Sequence, residues 1–160
     1  MGIPIFQPYK FDAKRMRTQI GDFLIDTFPV PHNGCENRGM LIKAEEQTIA
    51  FMTDLEYCPY DFSKKTINVL LVECNYIADL VNEDDKNYHK ILGHCELETT
   101  LGIIKNCQKH LRKVFLIHAS KGVTMNKERA LKEIREQIPE YIEVEFCKEN
   151  TVYDISACPF

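Results

Sequence analysis

The chain has 160 residues, of which 44% are hydrophobic and 28% charged, with a formal net charge of −4. That length suffices for one domain with a substantial core, so residues 1–160 are read as a single unit. The mild acidity gives nucleic-acid binding no support from bulk charge. No apolar run reaches the roughly 18 to 20 residues of a membrane helix, and the N-terminus lacks a basic-then-apolar signal, so the expectation is a cytoplasmic protein with no membrane association. The seven cysteines are odd in number and form no Cys-x-x-Cys pair, which points to reduced, mostly buried thiols and away from a zinc ribbon.

In chain order, residues 1–20 read as an irregular N-terminal segment whose Lys10, Lys14, Arg15 and Arg17 are solvated cations. Gly21-Asp22 opens a strand over Phe23 to Val30, with Pro29 and Pro31 marking an edge or an end. His32-Asn33-Gly34 is a turn by composition. Gly39 to Lys43 and Thr48 to Thr53 form a hairpin about Ala44 to Gln47, closed by Asp54. After a loop at Tyr57 to Asp61, Ile67 to Val72 is a buried strand ending on Glu73. A short acidic helix is expected over Ile77 to Asn82. From Glu96, the residues Leu97, Leu101, Ile104 and Leu111 recur near helical spacing. Lys113 to Ile117 is a strand buried on both faces, and it delivers His118 and Ser120. Lys127 to Ile138 is amphipathic, with Asn126 placed to cap it and Pro139 to stop it. Ile142 to Phe146 and Thr151 to Ile155 read as two final strands. The order implies an α/β fold, a mixed sheet with at least two covering helices.

Open α/β sheets keep their chemistry at the carboxyl ends of strands, and here the apolar runs end on His32, Asp54, Glu73 and His118. His32, Asp54 and His118 form a ligand set for a borderline divalent cation such as zinc, manganese or iron. Singly, each also reads as a capping or packing residue.

The ordered combination resembles the metallo-β-lactamase superfamily. Its carriers are Ile20-Gly21-Asp22-Phe23 through Phe28-Pro29-Val30-Pro31-His32, then Gly39-Met40-Leu41-Ile42, and Ile49 through Asp54. Leu70-Leu71-Val72-Glu73-Cys74-Asn75-Tyr76, Gly93-His94 and Leu116-Ile117-His118-Ala119-Ser120 continue the likeness, most closely to the exonuclease-like and tRNA 3′-processing branches. The resemblance implies that His32 completes one metal site, Asp54 bridges two, and His118 completes the second, with zinc or manganese as the ion. It makes His94 a proton donor to a leaving oxygen and Glu73 the group that orients it. For His94 the reading from residues alone, a helix-start position, stays open.

The departures carry equal weight. The family's His-x-His-x-Asp-His segment, which supplies most ligands, is absent, and the only close histidine pair is His89 and His94. Asn33 stands where an aspartate is common, and Leu55-Glu56 follow Asp54 where the family has a small pair with glycine. Three ligands divided over two ions give too few donors to hold either one and acidify water. The expectation is therefore a truncated metallo-β-lactamase-like α/β sandwich, the C-terminal half of the fold, with a partial metal site. Its exposed sheet surface would be covered by a second copy or a protein partner. Three functions remain in play. The leading one is a non-catalytic binding or inhibitory accessory module, of the kind a phage or mobile element carries. The others are an incomplete phosphodiesterase or nuclease completed by another chain or protomer, and a half-site binding a metal or nucleotide.

Overall fold

The structure, a computed structural model, describes residues 16–82 and 91–155. Strands β1 (Met16–Ile20) and β2 (Phe23–His32) form a hairpin about Gly21-Asp22, with Ile20 opposite Phe23 and Gly21 at φ +56°. The turn from β2 to β3 (Cys35–Ala44) is Asn33-Gly34, at φ 46° and 72°. Two left-handed residues are what a two-residue turn needs to match the twist of its strands, and Asn-Gly supplies them at low cost. Glu45-Glu46 connects β3 to β4 (Gln47–Met52) in a second two-residue turn, with Glu45 alone left-handed at φ 53°.

Beyond β4 the pairing changes from antiparallel to parallel: β4 pairs β5 (Val69–Glu73), β5 pairs β6 (Lys113–Ile117), and β6 pairs β7 (Glu143–Phe146). Among the described residues the result is one seven-stranded mixed sheet in sequential order. Parallel neighbours need long crossovers. Helix α1 (Leu97–Cys107) lies between β5 and β6, and α2 (Lys121–Met125) and α3 (Lys127–Arg135) lie between β6 and β7.

One face of the sheet is a register row of Leu41, Ala50, Leu70, Val114 and Val144, all buried, and it belongs to one cluster with Leu101, Ile104, Ala130 and Ile134 of the helices. Each leucine, isoleucine or valine among them contributes about 1.5 to 3 kcal/mol by leaving water. The opposite face carries Ile25, Ile42, Ile49 and Leu71, all half-buried, and Phe115, buried edge-on against Tyr153 at 4.9 Å.

The structure corrects the reading in several places. Residues 16–20 are a strand rather than irregular, because the Gly21-Asp22 turn folds them back onto β2. Arg17 then meets Asp26 with two hydrogen bonds of 2.8 and 3.0 Å. Residues 1–15, with Lys10, Lys14 and Arg15, lie outside the described residues, as does His89. β2 runs through both prolines to His32. The side of Pro31 away from β3 meets Glu56, whose N donates to Pro31 O at 2.8 Å. Pro29 shares that parity, so neither missing N–H leaves a gap in the β2–β3 ladder. The Ile77–Asn82 helix shrinks to a single 3₁₀ turn, Ala78–Leu80, and the helix at 127 ends at Arg135. Asn126 makes no side-chain cap; its amide donates to Gly122 O at 2.8 Å, closing the unpredicted α2. Thr151 to Ile155 is described but is not a strand.

Candidate metal centre

Five side chains converge at the carboxyl ends of the strands. Glu73, the last residue of β5, is fully buried, and its Oε1 lies 2.6 Å from His94 Nδ1 and 2.9 Å from His118 Nδ1. Its Oε2 accepts from Leu55 N at 3.0 Å. A carboxylate removed from water is tolerable only when its lone pairs are engaged, and here both oxygens are. Thr100 of α1 anchors the backbone beneath by donating to Glu73 O at 2.8 Å.

The backbone is bent to bring the other groups in. Asp54 and His118 follow β4 and β6, and both sit at φ 52°, a left-handed conformation that costs a non-glycine residue energy and is tolerated best by Asn, Asp and His. Two asparagines hold these bends. Asn37 on β3 donates to the carbonyls of Thr53 and Asp54, and Asn75 donates to His118 O at 2.9 Å. Sequence reasoning missed Asn37 altogether and quoted Asn75 only as part of a motif. Nothing in a lone asparagine signals which distant carbonyl it will meet.

His32 arrives from the other half of the sheet, at the tip of the β2–β3 hairpin. Its Nδ1 lies 2.8 Å from Gly93 O. A carbonyl only accepts, so Nδ1 is the donor here and Nε2 is the nitrogen that points free of this contact. The approach is close: a side chain at Gly93 would collide with the Asn33 amide. The three imidazoles stand in a row, with ring centroids 4.9 Å apart for His32 and His94 and 5.1 Å for His94 and His118. Asp54 Oδ1 lies 3.6 Å from His118 Nδ1 and 3.9 Å from His94 Nδ1.

The donor set fits a divalent ion of the zinc class. Glu73 lies on Nδ1 of His94 and His118 as Gly93 O lies on that of His32, so Nε2 is the nitrogen left on each ring for an ion, with Asp54 supplying an oxygen. Among the described residues, two triads have ligand atoms within 4.8 Å of one another: His32, Asp54 and His94, and Glu73, His94 and His118. The expected set of His32, Asp54 and His118 is not such a triad; His32 and His118 lie at opposite ends of the row. Cys74 and Cys95, adjacent in sequence to Glu73 and His94, are buried, and burial pushes both thiols up to about 12, away from the thiolate form that binds metals.

No sequence-family model matches the chain, and no curated protein matches it in sequence. Solved structures do. The metallo-β-lactamase fold protein YhfI from Bacillus subtilis superposes with a TM-score of 0.64 at 22% identity, over 88% of this chain and 52% of that one. Human tRNase Z, short form, gives 0.56 at 16% identity, over 89% and 45%. Zinc-bound PqqB from Methylobacterium extorquens gives 0.55 at 14%, over 84% and 51%. The chain spans about half the length of these structures. No helix among the described residues is long and apolar enough to cross a membrane. The sheet order, its covering helices and these superpositions identify the architecture as a metallo-β-lactamase fold, carried here over roughly half of its length in those proteins.

Proposed function

We propose that the chain carries a divalent-metal centre for hydrolysing phosphate esters, with zinc or manganese as the ion and phosphodiesters as the substrate class. The observation that carries this is the buried Glu73 carboxylate, which ties two imidazoles beside Asp54 and within a ring's reach of His32. A packing role alone gives no reason to bury an acid and aim two histidines at it. A bound divalent ion would polarise a phosphoryl oxygen and acidify water. His32 and Asp54 hold the ion, Glu73 fixes the orientation of His94 and His118, and one of these tethered imidazoles protonates the leaving oxygen.

The ester class is supported by a cavity of about 670 Å³ at the carboxyl ends of β6 and β7, lined by His118, Lys127, Phe146 and Lys148 among others. That volume suits a nucleotide-sized ligand. Lys127 lies 5.4 Å over the Phe146 ring. Glu149 lines the same cavity, yet neither lysine forms an ion pair among the described residues, which leaves two cations for an anionic substrate. The tRNase among the similar folds acts, by its name, on a phosphodiester chain.

Since the chain spans about half of those structures, we take the remaining ligands to come from a second protomer, a partner chain or further sequence, packed against the half-buried face of Ile25, Ile42, Ile49 and Leu71. The accessory, non-catalytic reading is favoured by a different observation, the absence of any His-x-His in the 160 residues. Metal analysis of the full chain together with cleavage of a short RNA and of bis(4-nitrophenyl) phosphate separates the two. Bound metal and turnover abolished by Asp54→Ala establish the hydrolase. Bound metal or nucleotide without turnover leaves the binding module.

A further inference from the structure

We infer that Glu56 is the positioning residue for His32: it grips the chain on both sides of that histidine and sets the hairpin tip against the part of the centre built on Glu73. Its N–H donates to Pro31 O at 2.8 Å, and its Oε1 accepts from Asn33 N at 2.6 Å. The consequence for an ion rests on reading the cluster as a divalent-metal centre, whereas the placement of the ring does not.

The hairpin tip needs such a hold. β1 pairs with β2 only as far as Thr27, and β4 pairs with β3 only from Met40 onward, so among the described residues no strand flanks residues 28–39. They form a two-stranded ribbon, which is marginal by itself. Its base is fixed by Phe28, buried edge-on against Tyr60 and Phe62 at 5.2 and 5.4 Å. His32 lies about 13 Å farther along the strand, so a tilt of about 5° at Phe28 displaces its imidazole by about 1 Å. The ring's hydrogen bond to Gly93 O is one point of support and leaves the backbone unfixed. Glu56 supplies two more.

Three consecutive residues carry this hold into the rest of the centre. Asp54 offers a carboxylate oxygen, the buried Leu55 donates its N–H to Glu73 Oε2 at 3.0 Å, and Glu56 takes the hairpin. Glu73 in turn holds His94 and His118, so His32 is referred to the same buried carboxylate as the other two imidazoles. From the other strand, Asn37 donates to the carbonyls of Thr53 and Asp54, so residues 53–56 lead from β3 to β2 across the ribbon. A hydrogen bond to a carboxylate is among the stronger kinds. Glu56 is only half-buried and Asn33 is exposed, so its loss is felt at the tip before it is felt in the fold. Asn33 and Glu56 both stand where the sequence departs from the family's pattern, and the structure joins them.

The test uses the full 160-residue chain as wild type, Glu56→Ala and Glu56→Gln, with urea midpoints to check each fold. In metal-free, histidine-labelled protein, Glu56→Ala should shift or broaden the imidazole resonances of His32 and leave those of His118 in place. Glu56→Gln keeps an acceptor oxygen and should restore them. Zn²⁺ affinity should fall about 10-fold in Glu56→Ala, the lower end for a residue that supports a ligand, and recover in Glu56→Gln. Unchanged His32 resonances in a folded Glu56→Ala overturn the inference. So does a Glu56→Gln variant as perturbed as Glu56→Ala, or an equal disturbance of all three imidazoles. Should Glu56→Ala fail to fold, the wild type decides: the Asn33 amide hydrogen should be protected from exchange, and exchange as fast as in an unstructured peptide overturns the inference. A chain that binds no Zn²⁺ removes the metal centre, and the metal-free resonances still decide what Glu56 does.

Discussion

The two halves of the sheet build their parts of the centre differently. The antiparallel half, β1 to β3, is three strands joined by two-residue turns, and it delivers one group, His32, from a hairpin tip. That ring is positioned by a single hydrogen bond, to Gly93 O. The parallel half delivers Asp54, Glu73, His94 and His118 from strand ends and a crossover, over a core that includes Leu70, Val72, Val114 and Leu116. Its imidazoles are tied to a carboxylate that cannot move without opening the core. Precision in this centre therefore comes from burial on the parallel side, and the antiparallel side contributes a ligand whose placement depends on what it docks against.

Thiol chemistry gives the largest test of that contrast. Cys35 sits exposed on the hairpin, while Cys74, Cys95 and Cys107 are buried in the parallel half, and burial pushes each of these three up to about 12 from 9.0. A raised thiol pKa favours the folded state fully below pH 9, and that contribution is lost as pH climbs toward 12. Between those limits each thiol costs about 1.4 kcal/mol per pH unit, so the three together remove about 4 kcal/mol by pH 10. Denaturant midpoints measured from pH 8 to 10.5 should fall accordingly. At pH 8, a thiol reagent should modify Cys35 rapidly and the three buried thiols only after unfolding. Rapid modification of all four would mean the parallel half is no better packed than the hairpins.

Core truncations sharpen the contrast next. Leu70→Ala removes a fully buried side chain from the middle of the parallel half and should cost about 2 to 5 kcal/mol. Ile42→Ala, on the half-buried opposite face, should cost about 1 kcal/mol, since less of that side chain leaves water on folding. Urea unfolding of both variants checks the ratio. Near-equal costs would show that the opposite face is covered as thoroughly as the helical one.

What the sequence revealed follows the same division. Val69 to Val72 and Val114 to Ile117, within the expected strands, were legible because a strand covered on both faces is a continuous apolar run with a sharp end, and those ends place Glu73 and His118. The hairpins were less legible. β1 lacks such a run; its apolar ends, Met16 and Ile20, flank Arg17-Thr18-Gln19, and only the Gly21-Asp22 turn shows that it folds back. Pro29 and Pro31 argued for an early stop to β2 when their parity in fact lets the strand continue. All five site residues were named from strand ends, from Gly93-His94 and from the family resemblance. What could not be read was who bonds whom, since a periodic pattern carries no information on whether Glu73 meets one histidine or two.

The tether itself is the third test. Glu73→Ala leaves Leu55 N–H and two imidazole N–H groups without an acceptor inside the protein and should cost about 2 to 4 kcal/mol, with His94 and His118 losing their fixed orientation. Glu73→Gln keeps the shape and one acceptor oxygen, so it should cost less in urea while still weakening Zn²⁺ binding. Equal stability loss in the two variants would mean that volume, not acceptance, is what Glu73 supplies.

The smallest effects should come from the two asparagines, and they differ in kind. Asn37 holds the bend at Asp54 from the antiparallel half, and Asn75 holds the bend at His118 from within the parallel half. Each alanine variant removes hydrogen bonds to carbonyls flanking a left-handed residue and should cost about 1 kcal/mol of stability. If Asp54 is an ion ligand and His118 is not, Asn37→Ala should also weaken Zn²⁺ binding, while Asn75→Ala should leave the ion in place and act on substrate turnover. Zinc titration beside urea unfolding reads both quantities. Weakened zinc binding in Asn75→Ala would put His118 in the ion's coordination, because Asn75 supports the backbone of His118 and not that of Asp54.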